Sequence, residues 1–453
     1  MNFFDDIEYN SDDYFKYDDF SAYNPESAEE KINQLCDEGN FKDALNLVNM
    51  ALNHSPYSAE LFHKKALILD GLGKYNESLM FYDKAIMLNP NDCEIYINKG
   101  ISLDTQGDYE DAIKCFNIAL NIDPENPEVY FNKGISFERC DDFESAISCF
   151  NKCISLNPEH ADAYYELGYC YDFTEELELS VKSYEKHIKL NPFNSNAWYN
   201  YGIVLSRLGR ILKAIDAYEF ALNIRSGFAS AYYNCGNSFA TIGMFTKSIE
   251  YYKKSLELTD NDSYTYHNIG NSYFELHDYD NAIPYFTRAI EINPDSFDSY
   301  FGIGSCYYNM KNYKTALKYF DKGLDINPNH SQLWHSKADA ENSIGLLDDA
   351  YKSYEKVLEL DSSNIDALYD IGCLQLDKFL LEDALNSFDR VAELKPDWVE
   401  VYYEKAKIYF LLEDMESAVK MLEHAFILKP EDKFKFNLEK DWEKIVDFLV
   451  NRQ

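Results

Sequence analysis

The chain reads as an all-α solenoid of antiparallel helix hairpins. Three observations predict it. One period of 34 residues runs from residue 25 to residue 432 without an insertion. Two positions of that period hold small residues while two hold large aromatic ones. Helix breakers recur at two fixed points, one inside the period and one near its end. A fixed period in this range is the mark of a repeat array.

The period is set by prolines. Pro90, Pro124, Pro158 and Pro192 are 34 apart, and the same step reaches Pro56 in one direction and Ser226, Asp260, Pro294, Pro328, Ser362, Pro396 and Pro430 in the other. Repeats therefore start at 25, 59, 93, 127, 161, 195, 229, 263, 297, 331, 365 and 399, which makes twelve.

The elements follow in order. Residues 1–24 hold seven acids, one lysine and eight Phe or Tyr with no period, so a flexible acidic, aromatic tail is expected there. In each repeat a first helix carries an aromatic at position 4 (Phe62, Tyr96, Tyr130, Trp198) and Gly or Ala at position 8 (Ala66, Gly100, Gly134, Gly202). Position 15 holds a breaker such as Gly39, Gly73, Gly107, Gly209 or Gly243, which separates the helices. The second helix carries Ala or Ser at position 20 (Ala44, Ser78, Ala112) and Phe or Tyr at position 24, from Tyr82 through Phe388. Small residues at 8 and 20 are expected to face each other, with the aromatics filling the space beside them. The proline near the end stops the second helix. A hairpin cannot bury its apolar face alone, so neighbours must stack. Residues 433–453 place Phe434, Leu438, Trp442, Ile445 and Leu449 on one stripe, which predicts a C-terminal capping helix.

These four positions, recurring twelve times in one register, resemble the tetratricopeptide repeat (TPR) family over residues 25–432, about nine tenths of the chain. Repeat 1 matches least, with Ala28 and Ile32 at positions 4 and 8, and repeat 11 drifts at Leu368. The resemblance implies a right-handed superhelix with a concave groove lined by first helices, and a protein-binding scaffold rather than an enzyme.

Composition narrows the partners. The net charge is −37, so polyphosphate and anionic lipid are repelled, and neither nucleic acid nor a membrane surface is expected as a partner. A basic protein segment is. No run of apolar residues is long enough to span a bilayer, and the opening Met-Asn-Phe-Phe-Asp-Asp lacks the basic and apolar regions of a secretory signal. Ten cysteines show no metal-type spacing; Cys149 and Cys153 are one helical turn apart, and Cys153 stands where other repeats carry Ala. Buried free thiols and a reducing, cytoplasmic location are expected.

A helical wheel puts positions 4, 7, 8 and 11 on the packing side and positions 2, 5, 6, 9 and 13 opposite, toward the groove or its edges. The pentapeptide WYNYG at 198–202 recurs as YINKG, YFNKG, YYNCG and YHNIG, with asparagine at position 6. Asn98, Asn132, Asn200, Asn234 and Asn268 are thus candidate groove residues. An amide both donates and accepts, as a partner's peptide group does; the alternative is a bond to the neighbouring repeat. Groove asparagines of the TPR superhelix of O-linked N-acetylglucosamine transferase are the family precedent for the first use. Position 5 adds Tyr165, Tyr199 and Tyr233 as candidate pockets for partner side chains. Position 12 holds Asp70, Asp104, Glu138 and Asp172 in four consecutive repeats, near helix C-termini where negative charge costs a few tenths to ~1 kcal/mol. A Lys- or Arg-bearing partner offsetting them is the hypothesis, against a solvated acidic edge.

No HExxH, phosphate-binding loop or nucleophile-elbow motif is present, and the histidines are not at ligand spacing, so no catalytic residue, metal or cofactor is assigned. The family's carboxylate clamp needs basic residues at positions 2 and 6 of one repeat, which no repeat has. Two other functions stay open, a substrate-recruiting subunit of a larger enzyme and a self-assembling module; the sequence leaves the oligomeric state unassigned.

Overall fold

Every repeat folds into the same two elements, a helix over positions 1–13 and a second over positions 17–30. The first pair is Pro25–Asp37 and Phe41–His54, and the twelfth is Val399–Leu411 and Met415–Leu428. The computed structural model describes residues 25–430, with side chains from residue 28. The predicted tail at 1–24 and the predicted capping helix at 433–453 lie outside the described residues. Among the described residues all twenty-four elements are helices, and none is long and apolar enough to cross a membrane.

Helix boundaries have local causes. Position 34 caps the next first helix: Ser58, Asp92, Asn126, Asn194, Asp262 and Asn364 accept a backbone N–H from its first turn. Position 15 is left-handed in all twelve repeats. Six carry glycine there, including Gly345, and six carry Asp141, Glu175, His277, Lys311, Phe379 and Glu413 at φ between 57° and 62°. The sequence marks this turn only where glycine occupies it.

The described residues divide into two compact units, one up to residue 217 and one from residue 218. Within each, a helix packs on its hairpin partner and on the first helix that follows. The small position 8 makes a closer approach than the sequence suggested. A Cβ added at Gly100 would lie 2.6 Å from the Phe116 ring, and one at Gly134 would lie 2.6 Å from Phe150. Glycine thus faces the position-24 aromatic directly rather than only the small residue at 20. The 8-to-20 contact also exists, since Ser180 donates to the Gly168 carbonyl at 2.6 Å.

A seam between repeats completes the core. Position 27 meets position 3 of the next repeat, and both are buried: Ala85 with Ile95, Ala119 with Val129, Cys153 with Ala163. In several repeats large faces small along this seam, whereas Val391 meets Val401. At Gly323 an added Cβ would come within 3.0 Å of Leu333. The cysteines are free and six of the ten are buried, while Cys140 is exposed. Burial pushes the Cys153 thiol up to about 12, as an apolar seam demands.

Candidate functional site

The first helices expose one polar face, and the asparagines at position 6 stand on it, each partly buried. Three reach back one repeat to position 5. The Asn98 amide meets His63 Nε2 at 2.9 Å, Asn200 donates to the Tyr165 hydroxyl at 3.0 Å, and Asn268 donates to the Tyr233 hydroxyl at 3.1 Å and to Asn237 at 3.2 Å. Asn132 instead donates to the Glu128 carbonyl of its own helix at 2.8 Å. Asn234 and Tyr199 are half-buried on the same face. Two of the asparagine candidates thus join two of the tyrosine candidates, since Tyr165 and Tyr233 hold the asparagine of the repeat that follows.

Position 5 departs from the helical-wheel expectation. It reaches its own hairpin's core, where Tyr165 lies 5.8 Å from the Tyr184 ring and Tyr233 lies 5.8 Å from Tyr252. Phe131 on Phe150 and Tyr369 on Phe388 repeat the contact. A long ring at the edge of the apolar stripe leans over position 24, which a wheel of Cα directions does not register.

The four acids at position 12 also meet the next repeat. Asp70 accepts from Ser102 at 2.9 Å and from Tyr82 at 2.7 Å. Asp104, buried, accepts from Ser136 at 2.6 Å and pairs with Arg139. Asp172 pairs with Arg207, and Glu138 takes the Cys170 thiol at 3.9 Å. The unfavourable helix-end placement of Asp70, Asp104 and Asp172 thus has an intramolecular offset at positions 10 and 13 of the following repeat. Glu138 makes no ion pair among the described residues, although the Arg139 charge acts on it. Burial pushes it up to about 7, and burial with the nearby Glu138 charge pushes Glu166 up to about 8. These are two desolvated carboxyl groups, their charged forms disfavoured by burial, on the first-helix face of repeats 4 and 5.

In the second compact unit the same face opens into a cavity of about 620 Å³ across the first helices of repeats 8, 9 and 10, Ser263–Glu275, Phe297–Asn309 and Ser331–Ser343. Positions 2, 6, 9 and 13 supply much of its lining, among them Asp298, Gly302, Asp339 and Glu275, with the rings of Phe274 and Phe301. Burial lowers the pKa of His267 on its wall, and the ring is bonded to Ser299 and Asn271, both at 2.9 Å. A neighbouring cavity of about 340 Å³ is lined by Asn268, the one predicted site residue that lines either. Sequence reasoning missed the larger cavity. The signal was the end of the asparagine series: position 6 becomes Gly302 in repeat 9 and Ser336 in repeat 10.

His335, Asp339 and Asp370 form a further cluster, with ligand-type atoms within 4.8 Å of one another, so they could hold a metal ion. His335 Nδ1 lies 3.4 Å from Asp339, and Nε2 lies 3.2 Å from Asp370 without a well-directed hydrogen bond. Burial opposes the charge on this imidazole, but the two carboxylates outweigh it and push His335 up to about 10. A proton already fills the role a cation would take.

Profiles described as tetratricopeptide repeat match residues 59–92, 81–114, 127–160, 149–181, 183–216, 229–262, 263–296, 297–330, 331–364 and 399–432, and one described as TPR repeat matches 105–139. No curated protein matches. Among solved structures, MamA is 31% identical over 35% of this chain and 93% of its own, with a TM-score of 0.35. YrrB, described as a TPR protein with an unusual peptide-binding site, is 22% identical over 42% of this chain and 98% of its own, with a TM-score of 0.37. Yeast Tom70 is 17% identical over 91% of this chain and 93% of its own, with a TM-score of 0.40.

Proposed function

The chain belongs to the tetratricopeptide repeat family, and from that premise we propose that it is a non-catalytic scaffold whose first-helix face binds an extended, cation-bearing segment of a partner protein. The observation that carries the reading is the open cavity of about 620 Å³ on that face, which has carboxylates and aromatic rings in its lining and no lysine or arginine. Such a surface attracts a cation and resists an anion.

The residues divide the work. Asn98, Asn200 and Asn268 use their amide nitrogens between repeats, which leaves the amide oxygens to accept a partner's backbone N–H. Asp70, Asp104 and Asp172 act through their field, because their oxygens are already engaged. Burial holds Glu138 up to about 7 and Glu166 up to about 8, although the Arg139 charge already draws both down. A lysine or arginine settling beside them returns both toward the ordinary carboxylate range and expels their protons. Affinity for a cationic segment rises accordingly from pH 6 to pH 8, and Glu138→Gln with Glu166→Gln flattens that dependence.

The direct test is site-specific photo-crosslinking. A benzophenone side chain at Gln332, on the cavity, is compared with one at Lys318, exposed on a second helix. Capture of lysine- and arginine-rich segments from Gln332 in excess over Lys318 is the expected result. Equal capture from the two positions would refute the assignment of the face.

A further inference from the structure

We propose that the cavity beside Gly302 takes an arginine side chain of the bound segment and sets which segments are selected; this rests on the reading of the face as peptide-binding. The cavity is a gap in a ladder. In repeat 8 position 6 is Asn268, whose amide crosses to Tyr233 of the repeat before. In repeat 9 the same position is Gly302, and in repeat 10 it is Ser336. Two successive side chains are shortened, and both residues line the space that results.

Gly302 is fitted to this role. A Cβ there would lie 2.6 Å from the tip of the Phe286 ring, which belongs to the preceding repeat and is fully buried. The ring stands where a position-6 Cβ would sit, so this position of repeat 9 has no room for a side chain.

Charge names the class of occupant. Glu275 and Asp298 line the cavity and make no ion pair among the described residues, unlike the acids of repeats 2 to 5, several of which are satisfied inside the array. Asp339 also lines it but is already engaged by His335 and by the Tyr354 hydroxyl. The rings of Phe274 and Phe301 select between the two cations. An ammonium is a compact, strongly hydrated point charge. A guanidinium is a weakly hydrated plane that stacks on aromatic faces while its five N–H groups reach carboxylates at its edge.

The experiment uses the full chain and fluorescein-labelled pools of N-acetylated octapeptides, degenerate except for one central residue fixed as Arg, Lys, citrulline or Ala. Polarisation is expected to rank Arg first, about tenfold tighter than the isosteric but uncharged citrulline. Glu275→Gln with Asp298→Asn removes that preference. Glu144→Gln with Glu382→Gln changes net charge equally on exposed second-helix sites and preserves it. Ser336→Asn lengthens the other shortened position-6 side chain without changing charge or meeting the Phe286 ring and is expected to abolish the preference; should it fail to fold by circular dichroism, the Gln/Asn pair decides. Binding in which Arg and Lys rank equally, or in which the control pair loses as much as the cavity pair, overturns the arginine pocket and leaves the peptide-binding face standing. Failure of every pool to bind overturns both.

Discussion

At the scale of single residues, backbone strain is written into half of the turns. Phe379 holds φ 57° at the position where Gly345 stands one repeat earlier, and its side chain is 73% exposed. An exposed ring offers little to offset a left-handed conformation. Phe379→Gly is expected to stabilise the chain by about 0.5–1 kcal/mol, the strain relieved less the entropy glycine brings. Gly345→Phe should do the reverse, and thermal melts of the pair read both signs. His335 gives a pH-dependent counterpart. Its folded value of about 10 lies above the ordinary 6.5, so the stabilisation from its two carboxylate partners is complete below pH 6.5. It is lost as pH rises from 6.5 through about 10, while the unfolded chain sheds the proton and the folded one keeps it. The melting advantage of the wild type over His335→Gln should therefore be widest near pH 6 and shrink toward pH 10. A difference that is flat with pH would mean the imidazole is not held charged.

At the scale of elements, the interface between successive first helices is polar, and position 6 bonding to position 5 of the repeat before is its recurring unit. Asn268 with Tyr233 suits a double-mutant cycle. Tyr233→Phe is expected to cost about 1 kcal/mol and Asn268→Ala somewhat more, since it also removes the bond to Asn237; the double variant should cost little more than Asn268→Ala alone, because the Tyr233 bond is common to both. Additive losses would mean that the packing of Tyr233 on Tyr252, not the hydrogen bond, is what the substitutions disturb. This element also marks how far the sequence could be read. Hairpins, the turns that carry glycine and the buried positions were legible because a period of 34 repeats the inward-facing residues in register; the contact of position 8 with the position-24 ring, and the six turns without glycine, were not. A period says what faces inward, not which neighbour a polar side chain chooses. The acids at position 12 show the limit: Asp70 with Ser102 and Asp104 with Ser136 are 32 apart, and Asp104 with Arg139 and Asp172 with Arg207 are 35 apart. Those spacings are regular, but they gain meaning only once adjacent first helices are known to lie side by side. The cavity was hidden for the opposite reason, since it is made by what Gly302 and Ser336 lack.

At the scale of the whole molecule the dominant quantity is charge. Seventy-nine acids against forty-two lysines and arginines leave −37, which no arrangement of internal ion pairs can neutralise. Folding brings these charges together, so self-repulsion opposes it, most of all at low ionic strength. Raising sodium chloride from about 10 mM to about 150 mM shortens the screening length from roughly 30 Å to roughly 8 Å. The melting temperature should rise over that range even though pairs such as Arg207 with Asp172 and Glu175 are weakened by the same screening. Peptide binding should move the other way, because attraction between an acidic face and a cationic segment is screened as well. Opposite salt slopes for stability and for affinity are therefore expected of one protein in one buffer series. A melting temperature that falls with added chloride would show that local ion pairs between repeats outweigh the global repulsion. An affinity indifferent to salt would show that the face binds through its rings and amides, with the acids serving only the array.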